Sequence, residues 1–282
     1  MVNNNGQLIA DDAPFLSASN RGFAYGDAVF ETIRISLQKI LFWEDHYFRL
    51  MASMRILRME IPMEFTMDYL EEQLLKTVKS SYSDTTTSTA KLTVYRNEGG
   101  LYTPQTNTVS FVITVQPLDT DFYLHNTTSY NVELFKDHYI NSGLLSTLKS
   151  TNKLPHILGG IYARENGYDN CLLLNEQKHV IEALNGNLFL VVGKTIKTPP
   201  LSDGCLRGIM RKQLLDMKKQ LPDYTFEEAS ISPFELQKAD ELFITNTITG
   251  IQPITQYRKK QYATTVSKDL TAKLNVKIRL LS

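Results

Sequence analysis

Cysteine is nearly absent: Cys171 and Cys205 are the only two in 282 residues. Two thiols build no disulfide framework, and their neighbours lack the spacing of a zinc site. The five histidines, His46, His125, His138, His156 and His179, fall at no metal-ligand interval either. No metal is expected, and these side chains read as structural or exposed. Excess charge is missing too. Basic and acidic residues number 30 each, which removes the electrostatic basis for a nucleic-acid partner or an anionic membrane surface. No apolar run is long enough to span a bilayer. The start, Met1-Val2-Asn3-Asn4-Asn5, has no signal-peptide core, so a cytoplasmic, reducing location is the expectation. There is no Walker or dinucleotide-type glycine motif, so ATP and NAD chemistry lack support. Internal repeats are absent.

What is present is a chain of ordinary globular composition, 42% hydrophobic and 21% charged, long enough for one large or two medium domains. Spacings of three and four predict a helix over 45–58 (Tyr47, Leu50, Met54, Leu57) and another over 66–79 (Met67, Leu70, Leu74, Val78). Thr66 suits the N-cap of the second. The Ser/Thr-rich stretch 80–89 reads as an exposed loop. Strand-like runs lie at 91–95 and 109–115. The polar stretch 116–127, which contains Pro117, reads as a linker. It divides a small N-terminal α/β domain, 1–115, from a larger C-terminal domain, 128–282. In the latter, strands at 131–135, 170–174, 179–182, 188–192 and 241–245 alternate with helices at 151–166 and 207–220, an α/β pattern.

Several segments offer reactive groups. Lys149-Ser150-Thr151-Asn152-Lys153-Leu154 holds two lysines four residues apart, and an amine in a pocket that lowers its pKa is a nucleophile. Glu182 ends a strand-like run just before a turn. Gly208-Ile209-Met210 opens a predicted helix, where backbone N–H groups make an anion site. Asn246 and Thr247 follow a predicted strand and offer further donors. Arg49 lies in His46-Tyr47-Phe48-Arg49-Leu50. Upstream is Arg21-Gly22-Phe23-Ala24-Tyr25-Gly26-Asp27-Ala28-Val29-Phe30-Glu31-Thr32. Taken singly, each residue is equally at home on a solvated surface. Together they supply an amine, a carboxylate and phosphate donors, the needs of pyridoxal 5'-phosphate.

In order and spacing, these motifs resemble the class IV aminotransferase family, the fold-type IV pyridoxal-phosphate enzymes, from about residue 6 to about residue 255. The resemblance implies a two-domain α/β (α+β) fold with the cofactor in the interdomain cleft, and a homodimer whose partner chain completes the pocket. It makes Lys149 the Schiff-base lysine and Glu182 the partner of the pyridine nitrogen. Arg49, the backbone of Ile209 and Met210, and Asn246 and Thr247 become phosphate ligands. Tyr25, Phe30, Arg34 and Arg96 become candidates for binding a small amino substrate. Leu101 stands about where D-amino acid aminotransferases carry an arginine, which argues against that activity. Gly-Ile-Met-Arg at 208–211 and Thr-Asn at 245–246 look more like the lyase branch. The first expectation is therefore 4-amino-4-deoxychorismate lyase, releasing pyruvate and the folate precursor 4-aminobenzoate. The alternative is a branched-chain L-amino acid transaminase. A non-enzymatic relative would have no need of Lys149, Glu182 and Arg49 together.

Overall fold

In the computed structural model, residues 1–82 and 86–281 are described. Part of the 80–89 stretch, residues 83–85, lies outside them. The chain forms two compact units. One comprises Met1–Phe122 with the short return Lys149–Asn152; the other comprises Tyr123–Leu148 and Lys153–Leu281.

The first unit is built on a six-stranded antiparallel sheet. Its order is Gln7–Ile9, Val2–Asn4, Val109–Pro117, Ser88–Arg96, Ala28–Ser36, Lys39–Ile40. The long strand Ala28–Ser36 shows how alternation sorts side chains. Val29, Ile33 and Ile35 join the core beneath the helices Trp43–Ile56 and Met67–Ser81, together with Leu50, Met54, Leu70 and Leu74. Glu31 has the same parity and is dragged into that core, 1% exposed. Phe30, Thr32 and Arg34 take the other face. Both helices match the predicted periodicity within two residues, and Thr66 Oγ1 does cap the second by accepting the Tyr69 N–H at 3.1 Å.

The second unit carries a ten-stranded mixed sheet. The strand Asn131–Ile140 runs parallel to Asn170–Asn175, which pairs antiparallel with Val180–Ala183. The strand Gly186–Val192 lies between Val180–Ala183 and Glu241–Asn246 at one end. The helix Leu154–Glu165 starts with Pro155 in its first turn, where the missing N–H costs nothing. Residues 207–220 hold a shorter α-helix, Ile209–Asp216, followed by a 3-10 turn, Met217–Gln220. A helix the sequence reading passed over, Thr265–Leu281, buries Leu270, Leu274 and Ile278 at four-residue steps. None of the helices among the described residues is long and apolar enough to cross a membrane.

Candidate active site

Lys149 sits in the four-residue return to the first unit. Main-chain bonds fix it there. The Phe30 N–H donates to the Lys149 carbonyl at 2.8 Å, Ser150 bridges Val29, and the Thr151 N–H donates to the Ala28 carbonyl at 3.1 Å. Asn152, three residues on, donates from Nδ2 to the Gly26 carbonyl at 3.1 Å. Gly26 ends the short helix Arg21–Tyr25 at φ +65, and a Cβ there would lie 2.5 Å from Asn152 Oδ1. The Lys-x-x-Asn spacing is thus a clip: asparagine anchors the segment on a glycine turn. Lys149 Nζ lies 4.5 Å from the Phe30 ring centroid, a cation–π distance.

Arg49 is buried on the helix Trp43–Ile56 and grips Glu31, with Nε donating to Oε1 at 2.8 Å and Nη2 bonded to Oε2. His46, one turn earlier, places Nδ1 at 2.6 Å from Glu31 Oε2. Burial alone would raise the Glu31 pKa. The Arg49 charge and the hydrogen bonds from His46 and Arg49 outweigh it and bring the carboxyl from its ordinary 4.5 to about 2. Burial holds His46 below its ordinary value, against the pull of Glu31 and helped by the charges of Arg49 and Lys149. Both shifts have one consequence for stability. The Glu31 contribution is complete above about 4.5 and is lost as pH falls through about 2. Below about 6.5 the unfolded chain also takes up a proton that folded His46 refuses. Urea titrations are therefore expected to show stability declining from about pH 6.5 downward and most steeply below 4.5. The Glu31 part is about 3 kcal/mol; a flat profile from pH 6 to 3 would contradict this.

The second unit holds the other groups. Glu182, 4% exposed, ends the strand Val180–Ala183. Its Oε2 accepts the Leu206 N–H at 2.8 Å, and its Oε1 lies 3.1 Å from His156 Nε2. Ile209 and Met210 open the helix Ile209–Asp216 behind Gly208, and no side chain caps that turn. Gly208 is required by contact: a Cβ there would lie 1.9 Å from Asn187 Oδ1. Asn187 is itself held by donating from Nδ2 to the Leu206 carbonyl at 2.8 Å. Gly208→Ala should therefore displace Asn187, cost about 1–3 kcal/mol in chemical denaturation and weaken anion binding at the helix start. Asn246 Oδ1 accepts the Ile248 and Thr249 N–H groups, shaping the turn that carries Thr247. Beside it, Thr245 Oγ1 is buried with no hydrogen-bond partner among the described residues.

The substrate candidates divide. Tyr25 is exposed on the first unit, 5.9 Å from the Tyr102 ring. Phe30 lies under the lysine. Arg34 is buried and donates to the Thr120 and Phe122 carbonyls. Arg96 is engaged on every nitrogen: Nε with Asp27 at 2.9 Å, Nη1 with Asn107 at 2.6 Å, and Nη2 with the Leu57 carbonyl at 2.7 Å. Two of the histidines read as structural or exposed, His46 and His156, each stand against a buried carboxylate, Glu31 and Glu182 respectively. Single histidines facing glutamates 15 and 26 positions away leave no local signature. Both cysteines are buried, and burial raises the Cys171 thiol to about 11 and the Cys205 thiol to about 12, with Glu133 and Glu182 respectively adding to it. Among the described residues no group of His, Cys, Asp or Glu could hold a metal.

A family model described as amino-transferase class IV matches residues 28–257. The chain belongs to this family. Members are pyridoxal-phosphate-dependent enzymes, and this chain is one of them. A putative branched-chain-amino-acid aminotransferase of Methanocaldococcus jannaschii is 27% identical over 280 residues, covering 98% of this chain and 94% of that protein. The branched-chain aminotransferase of Thermoproteus uzoniensis, solved with norvaline, superposes with a TM-score of 0.87 at 24% identity, covering 98% and 93% of the two chains. A 4-amino-4-deoxychorismate lyase of Pseudomonas aeruginosa gives 0.79 at 25% identity, over 99% and 98%. The two-domain fold-type IV architecture expected from the family motifs is the one observed. The residues present also suit the cofactor. The uncapped helix start behind Gly208 and the unpartnered Thr245 hydroxyl are donors for a phosphate, and Glu182 is a buried carboxylate with acceptor capacity to spare.

Proposed function

We propose that this chain is an amino-acid transaminase of the branched-chain type. The observation that carries the reading is the setting of the lysine. Its amine rests on the Phe30 ring, while Arg34 and Arg96, the two arginines expected near the substrate, donate to acceptors of the protein itself. That surface suits an aliphatic side chain better than the several carboxylates of a chorismate derivative. The whole-length likeness to the M. jannaschii protein supports the same choice. It reverses the order suggested by Met210 and the Thr-Asn pair. The group offered at Met210 is a backbone N–H, so that side chain discriminates little between the two reactions.

In this reading Lys149 would hold the cofactor through Nζ, and the free amine would move the proton of the substrate α-carbon. Bound pyridoxal phosphate supplies an electron sink for the charge left on that carbon. Glu182 keeps a proton on the pyridine nitrogen. The backbone of Ile209 and Met210, with Asn246 and Thr247, holds the phosphate, as does Arg49, which Glu31 orients. Phe30 and Tyr25 shape the substrate side, and a homodimer is the expected working form.

The test is product analysis. Protein loaded with pyridoxal phosphate and given L-leucine should release 4-methyl-2-oxopentanoate, and should turn over repeatedly once 2-oxoglutarate is added. Release of pyruvate and 4-aminobenzoate from aminodeoxychorismate, with no oxo acid from leucine, would establish the lyase reading instead.

A further inference from the structure

Glu182 is not a lone carboxylate. It is buried at the end of Val180–Ala183, and such a group must be matched by donors. Two are present, one for each oxygen: the Leu206 N–H at Oε2 and the His156 ring at Oε1. Leu206 contributes a main-chain N–H, which side-chain truncation leaves in place. His156 contributes a side chain from the first turns of the helix Leu154–Glu165, seven residues after Lys149.

We infer that His156 is a positioning residue that orients Glu182, so that the carboxylate can hold a proton on the cofactor's pyridine nitrogen. This rests on the reading of Glu182 given above. An ionised carboxylate can only accept, so the hydrogen between the two groups belongs to His156 Nε2. The other ring nitrogen, Nδ1, is buried and has no hydrogen-bond partner among the described residues. A second proton there would be an N–H stranded without an acceptor, a costly arrangement. The geometry therefore assigns His156 the neutral Nε2–H tautomer, a donor without net charge. Neutrality suits the task. A donor at each oxygen stops the carboxylate from rotating and meets the hydrogen-bonding need of a buried polar group. No second positive charge is set beside the pyridinium. Each oxygen also keeps lone-pair capacity for the cofactor.

The experiment uses the full-length protein loaded with pyridoxal phosphate labelled with 15N in the ring. In the wild type, the pyridine nitrogen should show the protonated-type 15N shift, and Glu182→Gln should move it to the unprotonated type. If that variant leaves it unmoved, the reading of Glu182 fails, whatever His156 does. Granted that response, His156→Leu should shift the resonance toward the unprotonated type and raise the pyridoxal phosphate dissociation constant about tenfold. His156→Gln, which keeps an N–H of similar reach, should stay within about twofold of the wild type. Equal losses in the leucine and glutamine variants would reduce His156 to a packing role, and no change in the leucine variant would remove it from the site. The wild-type protein offers a check that needs no mutant: the His156 ring should give a protonated-type 15N signal at Nε2 and a bare-nitrogen signal at Nδ1. The opposite tautomer would overturn the inference.

Discussion

Replacing Lys149 with alanine is expected to reduce amino-acid turnover by roughly a thousandfold or more, because the proposed function gives this one amine both the covalent anchor and the proton transfer. The loss should be chemical rather than architectural. The bonds that place residue 149 are main-chain ones, from the Phe30 N–H to its carbonyl and between the neighbours Ser150 and Val29, and alanine keeps them. The contact with the Phe30 ring is worth about 0.5–1 kcal/mol at a partly exposed site. Thermal unfolding of the apo-protein should accordingly move by only a few degrees. Lys149→Arg sharpens the test: it retains a cation over the ring, but guanidinium does not deprotonate. Arginine should be as inactive as alanine and closer to wild type in stability. Activity surviving in either variant, with the visible absorbance of the bound cofactor intact, would point to Lys153 as the reactive amine.

Glu31→Ala should be the most destabilising single change in the first unit, by about 3–5 kcal/mol in urea denaturation. The carboxylate is fully buried and receives Arg49 through two nitrogens and His46 through a third. Removing it takes the carboxylate away from the Arg49 guanidinium and His46 beside the apolar Val29, Ile33, Leu50 and Met54. Glu31→Gln preserves volume and one acceptor and should cost less. The two variants should also separate stability from cofactor handling. If Arg49 binds the phosphate in the orientation Glu31 imposes, even the milder substitution should raise the pyridoxal phosphate dissociation constant. A glutamine variant of normal affinity would make the cluster purely structural.

Much of the architecture could be read because its signals are local. The helices over 43–56 and 67–81 show in three- and four-residue spacing, and Thr66 marks the start of the second. The Lys149–Leu154 run and the turn before Ile209 stood out because motif spacing survives where overall identity is low. What escaped was nonlocal. Arg96 looked available because nothing near it in sequence reveals that the Leu57 carbonyl and Asn107 will converge on it. Metal-ligand intervals do not describe a histidine that serves one carboxylate, as His46 and His156 do. The strand from Asn131 continues to Ile140, past a register shift between Phe135 and Ile140, beyond the 131–135 expected from the sequence. The helix Thr265–Leu281 was a different kind of miss, since its four-residue apolar steps were legible throughout.

The four-residue return that carries Lys149 also limits how this chain can be divided. Residues 1–122 contain every strand of the antiparallel sheet, yet a polypeptide cut at that point would lack its lysine, which the ribosome adds only after another stretch of the second unit has been made. A fragment expressed from residue 123 onward would contain the lysine but not the Val29 strand that Ser150 pairs with. Neither piece is a self-sufficient module. Gene fusion, truncation or recombination with a breakpoint between the Val29 strand and Lys149 separates the lysine from the strand that seats it.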